Sequence, residues 1–171
     1  MNRPVPGAPP EKQDPTVLLA LTILGEAENQ PYAGKVGVGK TIVTRAHVKQ
    51  QTIAEVVLDP WQYDCWEKRA APQRVAFLEQ VIATAAGNVQ PQGLWEECLQ
   101  AAESALDPAT ADPTEGATHY CTVTDGHGHP LWACDDSHLR HPRWHSKQCI
   151  AAGITKESWR FGQHVFALTR F

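Results

Sequence analysis

Residues 25–41, GEAENQPYAGKVGVGKT, carry two patterns that belong to different kinds of chemistry. Glu26 and Glu28 follow a long apolar run, where a carboxylate could act as a general acid or base. Residues 34–41 fit G-x-x-x-x-G-K-[ST], the pattern by which nucleotide-binding proteins hold phosphates. The segment therefore predicts either a carboxylate-dependent enzyme or a nucleotide-binding protein.

The sequence around residues 34–41 does not fit a phosphate-binding loop. A phosphate loop needs a strand that leads into its first glycine and a helix that starts at its lysine. The residues before Gly34 are polar and include Pro31, which makes a poor buried strand. Such a site also needs a magnesium-binding Asp at the end of a strand, and the only candidate, residues 56–59, follows a helix capping box formed by Thr52 and Glu55. We therefore interpret the match as coincidental and expect Lys40 to lie on a helix.

Helix signals dominate the elements that must position these residues. Asp14 as N-cap and Pro15 begin a helix that we expect to end at Gly25, so that Glu26 follows its last turn. Further helices are predicted over residues 34–48, 52–58, 74–86 and 93–106. Strands are predicted over residues 117–124 and 164–169, with a Trp- and His-rich loop region over residues 132–159. The predicted fold class is α+β, mainly α.

Length and composition limit the functions that are possible. A chain of 171 residues fits one domain, and we expect a flexible Pro-rich tail over residues 1–14 before a single domain over residues 15–171. The net charge of -4 argues against a nucleic-acid partner. The longest apolar run, residues 17–24, is shorter than the about 20 residues of a membrane helix. Five cysteines without C-x-x-C spacing predict buried thiols in a reducing compartment, with one late-formed disulfide as the alternative.

Several blocks of the chain resemble, in order, motifs of the SleB-type (spore-cortex-lytic) cell wall hydrolases. Residues 25–39 are similar to G-E-A-R-G-E-P-Y-x-G-x-x-x-V, and residues 59–66, DPWQYDCW, are similar to Q-P-x-Q-F-S-x-W. Residues 112–120, DPTEGATHY, resemble D-P-T-x-G-A-T-H-Y, and residues 162–166 resemble the I-G-x-H-x-F strand. The chain departs from the family at Glu28, Gln30 and Thr44, where the family has Arg, Glu and Asn.

This resemblance implies a lysozyme-like helical body with a small β element that flanks a saccharide cleft. It implies that Glu26 is the catalytic acid for the β-1,4 bond between N-acetylmuramic acid and N-acetylglucosamine. If Glu26 then accepts the proton of the C6 hydroxyl, the product is a 1,6-anhydro sugar and the enzyme is a lytic transglycosylase. A hydrolysing muramidase needs a second carboxylate, for which Asp64 and Asp112 are candidates. Glu28 is a weaker one, because residues two apart on a helix do not share a face.

Chemistry and motif position together predict five substrate-binding residues. The amide of Gln62 could hydrogen-bond an N-acetyl group or a hydroxyl. Tyr32 and Trp66 offer flat apolar surfaces for sugar rings. Thr118 and Tyr120, as alternate residues of one strand, would line the same face of the cleft.

A histidine-rich region leaves a zinc enzyme as an alternative, since a zinc amidase would also digest cell wall. The residues concerned are His127, His129, His138, His141 and His145, near Cys134, Asp135 and Asp136. Their spacing lacks the Glu of H-E-x-x-H, so we predict an enzyme with no metal and no cofactor.

The expected partner is the glycan strand of peptidoglycan, bound by a monomer without stable membrane association. The start of the chain shows no secretory signal pattern. This suits a phage endolysin that stays in the host bacterial cytoplasm until a holin opens the membrane. A trimmed catalytic domain and a phage virion lysozyme are the alternatives.

Overall fold

A computed structural model describes residues 2–122, 154–161 and 164–169. Within these residues a helical part precedes three strands, which confirms the prediction of a mainly helical fold. The α-helices are α1 (Pro15–Ala27), α2 (Tyr32–Lys49), α3 (Ile53–Val57), α4 (Pro72–Ala83) and α5 (Leu94–Leu106). Two short 3-10 helices span Pro10–Lys12 and Asp64–Trp66. The strands are β1 (His119–Thr122), β2 (Ile154–Phe161) and β3 (His164–Thr169).

The three strands form an antiparallel sheet in the order β1-β3-β2. Tyr120 of β1 lies opposite Phe166 of β3, and Thr122 lies opposite His164. Strand β3 has the predicted bounds, whereas β2 begins within residues 132–159, where a loop was predicted. That prediction is wrong for residues 154–159, because pairing with β3 recruits a segment of mixed polar composition. Residues 132–153 lie outside the described part of the chain.

The start of α1 is as predicted, and its end is not. The Asp14 side chain accepts a hydrogen bond from the Thr16 N–H at 2.9 Å, and Pro15 is the first helical residue. The helix continues to Ala27, so Glu26 lies in its last turn rather than after it. A glycine near a helix end often marks the C-cap. Gly25 instead lies inside the helix and is buried.

Helix α1 is the centre of the core. Nearly all of its residues are buried, and it packs against α5, α2 and α3. The short helix α3 begins with the predicted capping box. The Thr52 N–H donates to Glu55 Oε2 at 2.7 Å, and the Glu55 N–H donates to Thr52 Oγ1 at 3.2 Å. None of the helices in the described ranges is both long and apolar enough to span a membrane.

Residues 34–41, which match the phosphate-loop pattern, lie inside α2. Lys40 thus lies on a helix, as predicted. Its Nζ donates to the Asp107 carbonyl at 2.9 Å. The two inner glycines face neighbouring elements. A Cβ on Gly39 would lie 2.6 Å from the Ala105 Cβ, and one on Gly37 would lie 3.0 Å from the Phe166 ring. Gly37 and Gly39 therefore allow α2 to pack closely against β3 and α5.

The N-terminal segment contacts the helical part. Arg3 Nη1 donates to the Ala85 carbonyl at 2.9 Å, and the Gln13 side chain hydrogen-bonds both the N–H and the carbonyl of Val5. Pro4 and Gln13 are buried. The flexibility of residues 1–14 and the domain boundary at residue 15 stay predictions.

We predict that Gly39→Val lowers the free energy of unfolding by about 1–3 kcal/mol, because the added side chain overpacks the contact between α2 and α5. Urea unfolding measures this change. Ala76→Val is the matched control, since residue 76 is an exposed position of α4 and should lose no more than about 0.5 kcal/mol of helix propensity. Equal losses in the two variants would contradict the packing role of Gly39.

Candidate active site

Glu26 is held at both carboxylate oxygens. It is half-buried in the last turn of α1. Its Oε1 accepts a hydrogen bond from the Cys65 backbone N–H at 3.0 Å, and its Oε2 accepts one from the Tyr120 hydroxyl at 3.2 Å. These donors lie 39 and 94 residues further along the chain. Glu26 therefore lies where α1, the loop after α3 and the sheet meet.

The contact with Cys65 depends on the glycine before Glu26. A Cβ on Gly25 would lie 2.5 Å from the Cys65 Cβ and 2.9 Å from its Sγ, closer than such atoms approach. The second 3-10 helix is also anchored one turn earlier on α1, where Trp66 Nε1 donates to Thr22 Oγ1 at 3.0 Å. Burial, and next the charge of Glu26, raise the pKa of the Cys65 thiol. The thiol is therefore protonated at neutral pH.

Tyr120 donates to Glu26 from an aromatic cluster on the sheet. Its ring centroid lies 5.0 Å from that of His164 and 5.6 Å from that of Phe166. Burial raises the pKa of Tyr120 well above its usual value, and the charge of Glu26 raises it further. The hydroxyl therefore stays protonated and remains a hydrogen-bond donor to Glu26.

A buried cation lies behind this cluster. Arg45 Nη1 donates to the Tyr63 hydroxyl at 3.2 Å, and the guanidinium carbon lies 5.8 Å from the centre of that ring. Burial raises the pKa of Tyr63 to about 12, although the charge of Arg45 opposes this. The Tyr63 and Tyr120 rings are 6.5 Å apart, so the cation and both phenols form one packed group next to Glu26.

The other predicted substrate-binding residues differ in exposure. Tyr32 is 38% exposed, and its hydroxyl lies 3.0 Å from Ser104 Oγ. Gln62 is exposed and Thr118 is buried. Trp66 is half-buried, and its indole N–H donates a hydrogen bond to Thr22 of α1. Their roles in binding stay predictions, as does that of Tyr120, whose hydroxyl is directed at Glu26.

Of the two candidates for a second carboxylate, Asp112 is occupied within its own turn. Its Oδ1 accepts from the Thr114 N–H at 2.8 Å and from Thr114 Oγ1 at 2.7 Å. Its Oδ2 accepts from the Gly116 N–H at 2.9 Å. Asp64, the first residue of the second 3-10 helix, is exposed and precedes Cys65 directly.

A cleft of about 270 Å³ opens next to the end of α1. Its lining residues are Glu28, Gln73, Arg74 and Phe77. Glu28 Oε1 accepts a hydrogen bond from Arg74 Nη1 at 2.8 Å, so the ion pair joins α4 to the end of α1. The cleft thus combines an aromatic ring with amide, carboxylate and guanidinium groups, a composition suited to polar ligands such as sugars.

The described residues contain no group of three or more His, Cys, Asp or Glu side chains that could hold a metal ion. The histidine-rich segment on which a zinc site was considered, residues 127–145, lies outside those residues. Cys65 and Cys98 are free buried thiols, as predicted for them.

A comparison with protein families agrees with the resemblance in the sequence. A family model described as Cell Wall Hydrolase matches residues 29–167. This range includes Cys65 and Tyr120, and Glu26 lies just before it. Among solved structures, the catalytic domain of the Bacillus cereus SleB protein matches with 19% identity, over 95% of this chain and 94% of that chain, at a TM-score of 0.49. No curated protein matches the chain.

We predict that acid destabilises the protein through His164, which packs on Tyr120. This side chain is 3% exposed, and burial lowers the pKa of His164 to about 4. Between that pH and about 6.5 the unfolded state binds a proton that the folded state does not. The free energy of unfolding should therefore fall as pH drops, by about 2 kcal/mol between about pH 7.5 and pH 5.

Urea unfolding of the parent and of His164→Gln at both pH values measures this contribution. All other titrating groups are shared, so the difference between the two proteins isolates His164. The variant should lose less stability on acidification. An identical pH dependence in both proteins would show that His164 protonates equally in the folded and unfolded states.

Proposed function

Because the chain belongs to the cell wall hydrolase family, we propose that it degrades peptidoglycan by cleaving the β-1,4 bond between N-acetylmuramic acid and N-acetylglucosamine. Glu26 is the catalytic acid in this proposal, and the reaction is that of a lytic transglycosylase. The endolysin role and release through a holin stay predictions.

One observation carries the assignment of Glu26. Its two oxygens accept hydrogen bonds from Cys65 and Tyr120, which belong to distant parts of the chain, while the residue as a whole is only half-buried. A surface glutamate without a function has no need of two such partners. A general acid does, because proton transfer requires a fixed position within hydrogen-bond distance of the glycosidic oxygen.

The two hydrogen bonds suit both halves of the reaction. A protonated Oε2 keeps one lone pair for the Tyr120 hydroxyl while its own proton is donated to the glycosidic oxygen. The bond from that oxygen to C1 of N-acetylmuramic acid then breaks. The carboxylate formed is stabilised by the Cys65 N–H and the Tyr120 hydroxyl. It accepts the proton of the C6 hydroxyl as O6 bonds to C1, so Glu26 ends protonated and no water is consumed.

Hydrolysis by a muramidase is the alternative. Because Asp64 is exposed, it is a better candidate for the second carboxylate than Asp112. Asp112 accepts three hydrogen bonds from its own turn, so its use as a base would cost the structure of that turn. A second carboxylate would have to lie about 5 to 9.5 Å from Glu26, according to the stereochemistry.

Glu26→Gln is the variant that tests the assignment, because it keeps the shape of the side chain and removes the proton donor. We expect clearance of purified peptidoglycan to slow by about 10²- to 10⁴-fold. The free energy of unfolding should change by less than about 1 kcal/mol, since a negative charge at a helix C-terminus is unfavourable. Glu79→Gln, an exposed position on α4, should retain full activity. Unchanged clearance by Glu26→Gln would refute the assignment.

The soluble products distinguish the reaction types. Internal attack by O6 predicts 1,6-anhydro ends, which mass spectrometry detects at about 18 mass units below the reducing ends of hydrolysis, because water is not added. Reducing ends would instead require a second carboxylate and make Asp64→Asn the next variant.

Activity should also survive a strong chelator. Loss of activity that zinc restores would favour the zinc amidase alternative.

A further inference from the structure

Trp61 is unusually exposed for its size. It lies in the loop between α3 and the second 3-10 helix, and 62% of its surface is accessible. Its indole forms no hydrogen bond or ring contact with the residues that the structure describes. Large aromatic side chains contribute to stability mainly by burial, so this residue adds little to the folded core.

The backbone at Trp61 also disfavours a side chain. The Gln62 N–H donates to the Asp59 carbonyl at 3.2 Å, which closes a β-turn with Pro60 and Trp61 as its central residues. Trp61 has a φ of 66°. Proline at the second position and a positive φ at the third are the pattern of a type II turn, where glycine is the favoured third residue. Folding alone would therefore select glycine over tryptophan here.

The connecting chain keeps this turn close to Glu26. Four residues after Trp61, the Cys65 N–H donates to Glu26. Four residues of fully extended chain span at most about 14 Å, and the 3-10 helix that begins at Asp64 shortens this distance. Gln62, the neighbour of Trp61, is exposed on the same turn.

We infer that Trp61 is a stacking platform for a sugar ring of the glycan strand, next to the bond at which Glu26 acts. The inference rests on the proposed function, which supplies the glycan as substrate. A pyranose ring offers a face of C–H groups, and an indole offers a flat apolar surface that is lost from water when the two stack. The turn exposes this surface although Trp61 adopts a strained backbone conformation, and such strain is common at functional sites.

Binding of soluble, peptide-free glycan strands tests the platform. The measurements use the Glu26→Gln background, in which cleavage should be about 10²- to 10⁴-fold slower, and calorimetric titration gives the dissociation constant. Trp61→Gly should weaken binding by about tenfold or more. Its unfolding temperature should stay within about 4 °C of the parent, because glycine suits the turn. In the active enzyme the same change should raise KM more than it lowers kcat.

Gln50→Gly is the matched control for backbone strain. Gln50 is exposed and has a φ of 54° after the end of α2, so glycine relieves the same kind of strain away from the loop. It should bind glycan like the parent. A second pair separates stacking from apolar bulk at an unchanged backbone: Trp61→Tyr should keep most of the affinity and Trp61→Leu should lose it.

Equal glycan affinity of Trp61→Gly and its parent would overturn the inference, as would equal affinities of Trp61→Tyr and Trp61→Leu. Loss of binding confined to peptide-bearing strands would also overturn it, because the contact would then be with peptide. These outcomes differ from failure of the proposed function, which would appear as wild-type cleavage by Glu26→Gln whatever the residue at position 61.

Discussion

The close approach of the Asp64–Trp66 turn to the end of α1 is the contact on which the candidate active site depends. It exists because position 25 has no side chain, since any Cβ there would overlap the Cys65 side chain. The approach brings the Cys65 N–H within hydrogen-bond distance of Glu26. Helix α4 packs on the same turn, so the position of one glycine governs how α1, the loop after α3 and α4 fit together.

A second close approach supports the donor on the other side of Glu26. Gly37 of α2 leaves room for the Phe166 ring, and Phe166 packs on Tyr120. Tyr120 reaches Glu26 from a sheet that rests on α2 at this point. Packing thus explains Gly37 and Gly39, two of the glycines in the segment that matches the phosphate-loop pattern. They hold the sheet and α5 against α2.

The sequence predicts those features that local rules decide. The N-cap at Asp14, the capping box at Thr52 and the bounds of β3 follow from patterns of a few residues. The end of α1 does not, because local rules treat Gly25 as a C-cap while tertiary packing keeps it helical. Strand β2 is missed for a similar reason. Its sequence, ITKESWRF, carries three charged residues and forms a strand by pairing with β3.

The candidate active site can likewise be predicted from the sequence only in part. Glu26 and Tyr120 are visible as candidates because carboxyl and phenol groups have recognisable chemistry, but a sequence does not reveal that the phenol is directed at the carboxylate. The donor from Cys65 is invisible in principle, since every residue except proline carries a backbone N–H. The residue that permits this hydrogen bond is Gly25, and its role can be recognised only in the structure, where the Asp64–Trp66 turn packs against it.

The position of Glu26 at the end of α1 is unfavourable for the stability of that helix. A carboxylate in the last turn of a helix faces the negative end of the helix dipole, and Glu28 directly after the helix adds a second charge there. Arg74 offsets one of these charges through its ion pair with Glu28. Among the described residues, Glu26 accepts hydrogen bonds from two neutral donors, the Cys65 N–H and the Tyr120 hydroxyl, and from no cation. These donors fix the orientation of the carboxyl group, which a general acid requires in order to transfer a proton to the glycosidic oxygen.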